Sequence, residues 1–178
     1  ATAAILTNKL LQLAGGAVYD ENGKAQIVHD QKLEVLDQLI EEANGQPVLV
    51  FYNYKHELDR LQARYPQAIH VKEENVVKRW NAKEIPILLA NPASAGHGLN
   101  LQFGGHIAIW YSPTWNLEFF QQANKRLHRR GQAETVLIHT LMAKGTIDER
   151  IYDIVLRNKE AGQNALLEAV KARIKEVT

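Results

Sequence analysis

Five short apolar, β-rich runs recur along this chain, at residues 47–52, 68–71, 85–90, 106–111 and 135–140, and they restrict its fold more than any other feature. The first, Pro47-Val48-Leu49-Val50-Phe51-Tyr52, carries no polar alternation, as expected of a strand covered on both faces. Helical signals separate the runs at about 54–64 and 74–81, and again from near Asn116. Such alternation predicts a mostly parallel sheet flanked by helices, an α/β fold. In front of it stand a helix around 3–13, turns about a short extended piece over 14–24, and a second helix from Asp30. Asp30 is placed to cap that helix, in which Leu33, Leu36, Leu39 and Ile40 fall at helical spacing up to a stop at Asn44-Gly45. After the last strand, Thr146-Ile147-Asp148-Glu149 reads as a capping box opening a helical tail to Val177. Its apolar positions Ile147, Ile151, Ile154 and Val155 are expected to finish the core.

A length of 178 residues suits one domain with a sizeable core, and 46% hydrophobic with 23% charged residues excludes disordered, collagen-like and coiled-coil classes. The absence of cysteine excludes disulfides and thiolate zinc sites, and the seven histidines show no metal-ligand spacing. No apolar run is long enough to span a bilayer and no cleavable leader opens the chain, so a soluble intracellular protein is expected. Net charge is only +1, but it is unevenly spread. Residues 1–45 carry seven acids against three bases, and the remainder thirteen against eighteen, which permits a phosphate-facing surface on the later part.

That charge is densest in Lys125, Arg126, Arg129 and Arg130, four cations within six positions beside Gly131. Gln122, Arg126 and Arg129 are spaced by four and three, and share one face if the segment is helical. Two guanidiniums on one face suit anionic oxygens; a solvated basic helix end before a glycine stop is the other reading. A second feature is the loop at 91–101, which follows the strand ending at Ala90 and contains Gly96 and Gly98. Ligands of open α/β sheets bind at the carboxyl ends of strands, and small residues let backbone amides approach a phosphate, although a tight crossover loop has the same composition.

Taken in order, these segments resemble the second, C-terminal RecA-like domain of the Swi/Snf-type ATPases, a branch of the superfamily-two helicase-like translocases. Pro47-Val48-Leu49-Val50-Phe51 with Leu58 and Leu61 resembles motif IV, and Ser94-Ala95-Gly96-His97-Gly98-Leu99-Asn100-Leu101 resembles motif V. Pro113-Thr114-Trp115-Asn116 resembles the Pro-x-Trp-Asn element that follows, and the stretch from Gln122 to Gln132 resembles motif VI. Trp80-Asn81 ahead of residues 85–102 is similar to the compact bacterial and phage members.

The resemblance implies a three-layer RecA-like domain over 1–178, with a helical lead-in at 1–45 and a helical extension at 146–178 that would serve as a brace on a first domain. It implies ATP with Mg2+ in the cleft between two such domains, Arg129 as the arginine finger and Arg126 as its companion on the β- and γ-phosphates. Gln122 and Gly98 join them in the ATP-binding set, while Lys125 and Arg130 are expected to be solvated or structural. Asn53, Lys55, Ser94, Asn100 and Trp115 are the implied nucleic-acid contacts, although a lone tryptophan after a strand is more commonly core. Asn91-Pro92 replaces a Ser-Thr pair of many relatives, with Ser94 as the substitute hydroxyl.

No Walker A loop is present: Gly16 to Gly23-Lys24 has the wrong glycine spacing, and Ala25 stands where a hydroxyl should follow. Asp148-Glu149 belongs to the capping box, not to an acidic strand end. The expectation is half an active site cut from a longer protein, inactive and nucleotide-free alone. Its partners would be a first RecA-like domain and duplex DNA, with no membrane. A monomer in the cytoplasm of a bacterial or phage-infected cell is expected. A stand-alone binding module and part of a strand-separating helicase are the alternatives.

Overall fold

In the computed structural model, which describes residues 3–95 and 98–155, the sheet is built around β3 (Val48–Phe51). Its neighbours are β5 (Ile87–Ala90) and β6 (Ile107–Trp110), and the outer positions belong to β4 (Ile69–His70) and β7 (Leu137–Thr140). The order β4-β5-β3-β6-β7 is parallel throughout, with Val48 opposite Ile87 on one side and Ile107 on the other. The five runs seen in the sequence are therefore the five strands of one sheet.

Alternate residues of β3 explain why the sheet is covered on both faces. Val48 and Val50 join Leu33 and Leu36 of α2 (Gln31–Glu42) and Leu61 of α3 (Lys55–Arg64) in one core. Leu49 and Phe51 join Trp80 of α4 (Val76–Asn81), Ala123 of α6 (Leu117–Asn124) and Leu127 in the other. Each fully buried Leu, Val or Phe here removes enough apolar surface from water to contribute about 1.5–3 kcal/mol. The result is the expected three-layer α/β arrangement.

The lead-in is less helical than the sequence suggests. Between α1 (Ala3–Ala14) and α2 lies an antiparallel hairpin of β1 (Ala17–Tyr19) and β2 (Ala25–Ile27), and the second strand was not anticipated. Asp20 creates it: its Oδ1 accepts from the backbone N–H groups of Asn22 and Lys24, both at 2.9 Å, and Gly23 takes the left-handed φ of 76° that closes the turn. These donors hold the Asp20 carboxyl below the usual range.

Asp30 does stand at the N-cap position of α2 but caps nothing with its side chain. Its carboxylate is taken by Arg60 at 2.7 Å, whose guanidinium also donates to the carbonyls of Gly15 and His29. The hydroxyl of Tyr111 reaches the same Gly15 carbonyl. The predicted stop at Asn44-Gly45 is observed, with left-handed φ values of 48° and 81°.

A final helix, α7, is described over 147–155. Thr146 accepts from the backbone N–H of Asp148 at 3.2 Å, a cap as predicted. Asp148 does more than open the helix: it is fully buried, pairs with the equally buried Lys32 at 2.6 Å, and accepts from the backbone of Ala143. Ile151 and Val155 pack on Leu11 of α1, with Ile147 at the margin, so this part of the tail closes the domain's own core. The rest of the expected extension lies outside the described residues.

Candidate functional site

The loops at the carboxyl ends of β3, β5 and β6 are tied together by buried polar groups. Glu57, in the first turn of α3, accepts from the backbone N–H groups of Asn53 at 2.8 Å and Tyr54 at 3.2 Å, and from the hydroxyl of Ser112. Burial pushes its carboxyl up, and the Ser112 hydroxyl and the two backbone donors oppose that rise. The side-chain amide of Asn53 donates to the carbonyl of Pro113 at 2.6 Å. Asn53 is thus a brace between two strand ends. Lys55 is exposed and pairs with Asp59 along α3 at 2.9 Å.

The glycine-bearing loop is not a plain loop: it contains one helical turn, α5 (Pro92–Ala95), followed by residues 96–97 outside the described set. Asn91 holds its start. Its amide donates to the carbonyls of Tyr52 and Asn53, and its Oδ1 accepts from the backbone N–H of Ala93. A hydroxyl pair at 91–92 is therefore replaced by a structural tie, while Ser94 sits half-buried on α5. Gly98 is exposed with a φ of 71° and nothing within 4 Å of an added Cβ, so backbone conformation, not crowding, requires glycine there.

Asn116 caps α6 by accepting from the N–H of Phe119 at 3.0 Å. The helix ends at Asn124, earlier than a shared face for Gln122, Arg126 and Arg129 requires. At that last helical residue, the buried indole N–H of Trp110 donates to Asn124 Oδ1 at 2.9 Å. Beyond it the chain winds in three-residue turns, with Arg126 N bonding to Ala123 O and Leu127 N to Asn124 O, and Leu127 is fully buried.

The three side chains still meet, by turn geometry instead of helical spacing. Gln122, Lys125, Arg126, His128, Arg129 and Arg130 line one open cavity of about 460 Å³. Burial, and then the Arg129 guanidinium, lower the pKa of Arg126. Arg129 Nη1 donates to Asn100 Oδ1, joining the arginine loop to the glycine loop, and the backbone N–H of Leu101 bonds to Arg126 O at 3.3 Å. Gln122 bonds Glu118 one turn back at 2.8 Å. Lys125 and Arg130 are exposed, yet both line the cavity.

Trp115 corrects the core reading. It is 43% exposed, whereas Trp80 and Trp110 are fully buried. Phe119, in the first turn of α6 and 38% exposed, was not singled out in the sequence. His128 was also missed, although it lies between the two arginines in sequence and lines the same cavity. Among the described residues no group of three or more histidine or acidic side chains converges, and no helix is long and apolar enough to cross a membrane.

Residues 31–131, more than half the chain, match the family model described as the helicase conserved C-terminal domain. Phage protein p41 of Acyrthosiphon pisum secondary endosymbiont phage 1 is 42% identical over 96% of this chain and 38% of its own length. The chromatin-remodeling ATPase INO80 of Mycosarcoma maydis is 32% identical over 85% of this chain and 9% of its own. The uncharacterized ATP-dependent helicase MG018 of Mycoplasma genitalium is 30% identical over 84% of this chain and 14% of its own. The chain thus spans well under half of each of these relatives. The crystal structure of the C-terminal part of the Fun30 ATPase domain superposes with a TM-score of 0.62 at 24% identity, covering 70% of this chain and 44% of that one.

Proposed function

The chain belongs to the helicase conserved C-terminal domain family, as a Swi/Snf-type RecA-like domain, and from that premise we propose that it is the arginine-donating half of a DNA-dependent ATPase and translocase. In this reading a first RecA-like domain of the same parent protein binds ATP and Mg2+, and Arg129 and Arg126 reach the phosphates across the cleft. Magnesium-bound ATP supplies the phosphoryl group to be hydrolysed.

The observation that carries the reading is the convergence of Arg126 and Arg129 with Gln122 on one open cavity. Two guanidiniums on one cavity suit an oxyanion, and their planar forks match paired phosphate oxygens better than lysine does. In this reading the magnesium ligands belong to the first domain. Asn100 orients Arg129 from the glycine loop. Lys55, Ser94 and the exposed Trp115 form the proposed DNA-facing set, with contacts to the backbone of duplex DNA that are independent of sequence.

The test is reconstitution with the preceding part of the parent protein. Turnover with DNA should fall by roughly 10³ to 10⁵-fold on Arg129→Ala, the usual worth of such a finger, while this chain alone hydrolyses nothing. Indifference to Arg129→Ala would leave a binding module without chemistry.

A further inference from the structure

We infer that Trp80 and Asn81, which stand outside the basic cavity, are positioning residues for its arginine pair, acting through the backbone of residues 100 and 101. The inference rests on the finger reading above and adds to it the part of the fold that aims the finger.

Two adjacent side chains at the end of α4 hold two successive carbonyls. The indole N–H of Trp80 donates to Leu101 O at 2.8 Å, and Asn81 Nδ2 donates to Asn100 O at 2.9 Å. The same two residues face the arginine loop on their other side. Asn100 Oδ1 accepts from Arg129 Nη1, and the N–H of Leu101 bonds to Arg126 O. Each arginine is therefore one residue removed from an α4 donor.

The grip is rigid. Trp80 is fully buried, and a Cβ on Gly104 would lie 2.3 Å from its carbonyl oxygen and 2.4 Å from its ring, while one on Gly105 would lie 2.9 Å from the ring. Only glycine lets the chain fold round the indole. A second tie closes the segment from below: Gln132 Nε2 donates to Gly105 O at 3.0 Å and to Leu127 O at 3.2 Å. The side-chain amide of Asn81 reaches across to residue 100 through this one contact.

The consequence is geometric. Asn100 carries its side chain to Arg129 only while its own carbonyl is held, so loss of the Asn81 bond frees the residue that orients the finger. Small misplacement of a catalytic group lowers rate without abolishing binding.

The experiment uses the full-length parent protein and three variants, Asn81→Ala, Asn81→Asp and Trp80→Phe, beside Arg129→Ala. Asn81→Asp keeps the shape and removes the donor; Trp80→Phe keeps an aromatic ring and removes the N–H. Each should lower kcat by about 3- to 10-fold, the worth of one hydrogen bond, with KM for DNA unchanged. In parallel, the arginine side-chain ¹H–¹⁵N spectrum of this chain should show the Arg129 signal displaced in all three variants and unmoved in Lys24→Ala, an exposed change in the β1–β2 hairpin away from the cavity. A collapse of turnover in Arg129→Ala with full turnover in all three variants would overturn the inference and leave the finger reading intact. A lowered kcat with an undisplaced Arg129 signal would also overturn it, because the effect would then be general weakening of the fold. No effect of Arg129→Ala would instead sink the finger reading itself.

Discussion

The indole N–H of Trp110 donates to Asn124 Oδ1 at 2.9 Å, a buried bond that anchors the last residue of α6 to the sheet. Residues beyond it wind in tight turns toward the buried Leu127, and the two arginines leave the helix axis to face one cavity. Asn124→Ala strands the indole donor in the core, which costs about 1–3 kcal/mol. Urea denaturation should show that loss, and Trp110→Phe in the same background should recover part of it.

Lys32 and Asp148 form the domain's most enclosed ion pair among the described residues, at 4% and 1% side-chain exposure. Removing one partner leaves the other charge buried, so Lys32→Met or Asp148→Leu alone should destabilise by about 3–5 kcal/mol. The double variant should be closer to the parent than either single one. A double variant at the sum of the two losses would rule out the pair as their cause.

His56 makes the stability depend on pH. Burial and then Arg60 hold its pKa down at about 4, and it lies between the rings of Tyr54 and Tyr19. The unfolded chain takes up this proton below about pH 6.5, while the folded chain resists until about pH 4, so stability falls as pH falls across that window. The loss should be on the order of 2–3 kcal/mol by denaturation at pH 7 and pH 4.5, and His56→Phe should remove most of the slope.

Trp115 and Lys55 test the proposed DNA face without touching the core. Trp115→Ala should leave the unfolding midpoint nearly unchanged and weaken binding of duplex DNA by a similar factor for any sequence. Lys55→Ala should weaken binding equally for any sequence and reduce the salt dependence by about one counterion. Unchanged binding in both variants would move the DNA track elsewhere on the domain.

Gly104 and Gly23 form a matched pair. A methyl at Gly104 would lie 2.3 Å from Trp80 O, whereas one at Gly23 meets nothing within 4 Å at a φ of 76°. Gly104→Ala should therefore prevent a soluble fold or cost several kcal/mol, and Gly23→Ala only about 1–2 kcal/mol of backbone strain. Yield and thermal unfolding distinguish them.

What the sequence announces best is whatever depends on neighbouring residues. Val48-Leu49-Val50-Phe51 and Ile107-Ala108-Ile109-Trp110 are legible as strands because every side chain in them is buried. Asn44-Gly45 is legible as a stop because left-handed backbone has few tenants. β2 was hidden because Gln26 and Ile27 are exposed and the strand exists through the Asp20 turn. The anchoring of Asn124 was hidden because its partner, Trp110, lies 14 residues away in sequence. Arg126, Arg129 and Gln122 were expected together for a helical reason and meet through a turn instead. Asp148 looked like a helix opener because nothing in its surroundings announces Lys32.

The grip of Arg60 on Gly15 and His29, and of Tyr111 on Gly15, also bears on how this domain may be cut. The family likeness begins at residue 31, yet a fragment starting there would lose the hairpin, three acceptors of one guanidinium counting the Asp30 carboxylate, and the wall on which Ile151 and Val155 pack. A Cβ at Gly15 would come within 2.5 Å of Glu57 Oε1, so the first two dozen residues press directly on the carboxylate that ties the strand-end loops together. A fragment cut at residue 31 should therefore unfold at lower urea than one that keeps α1 and the hairpin.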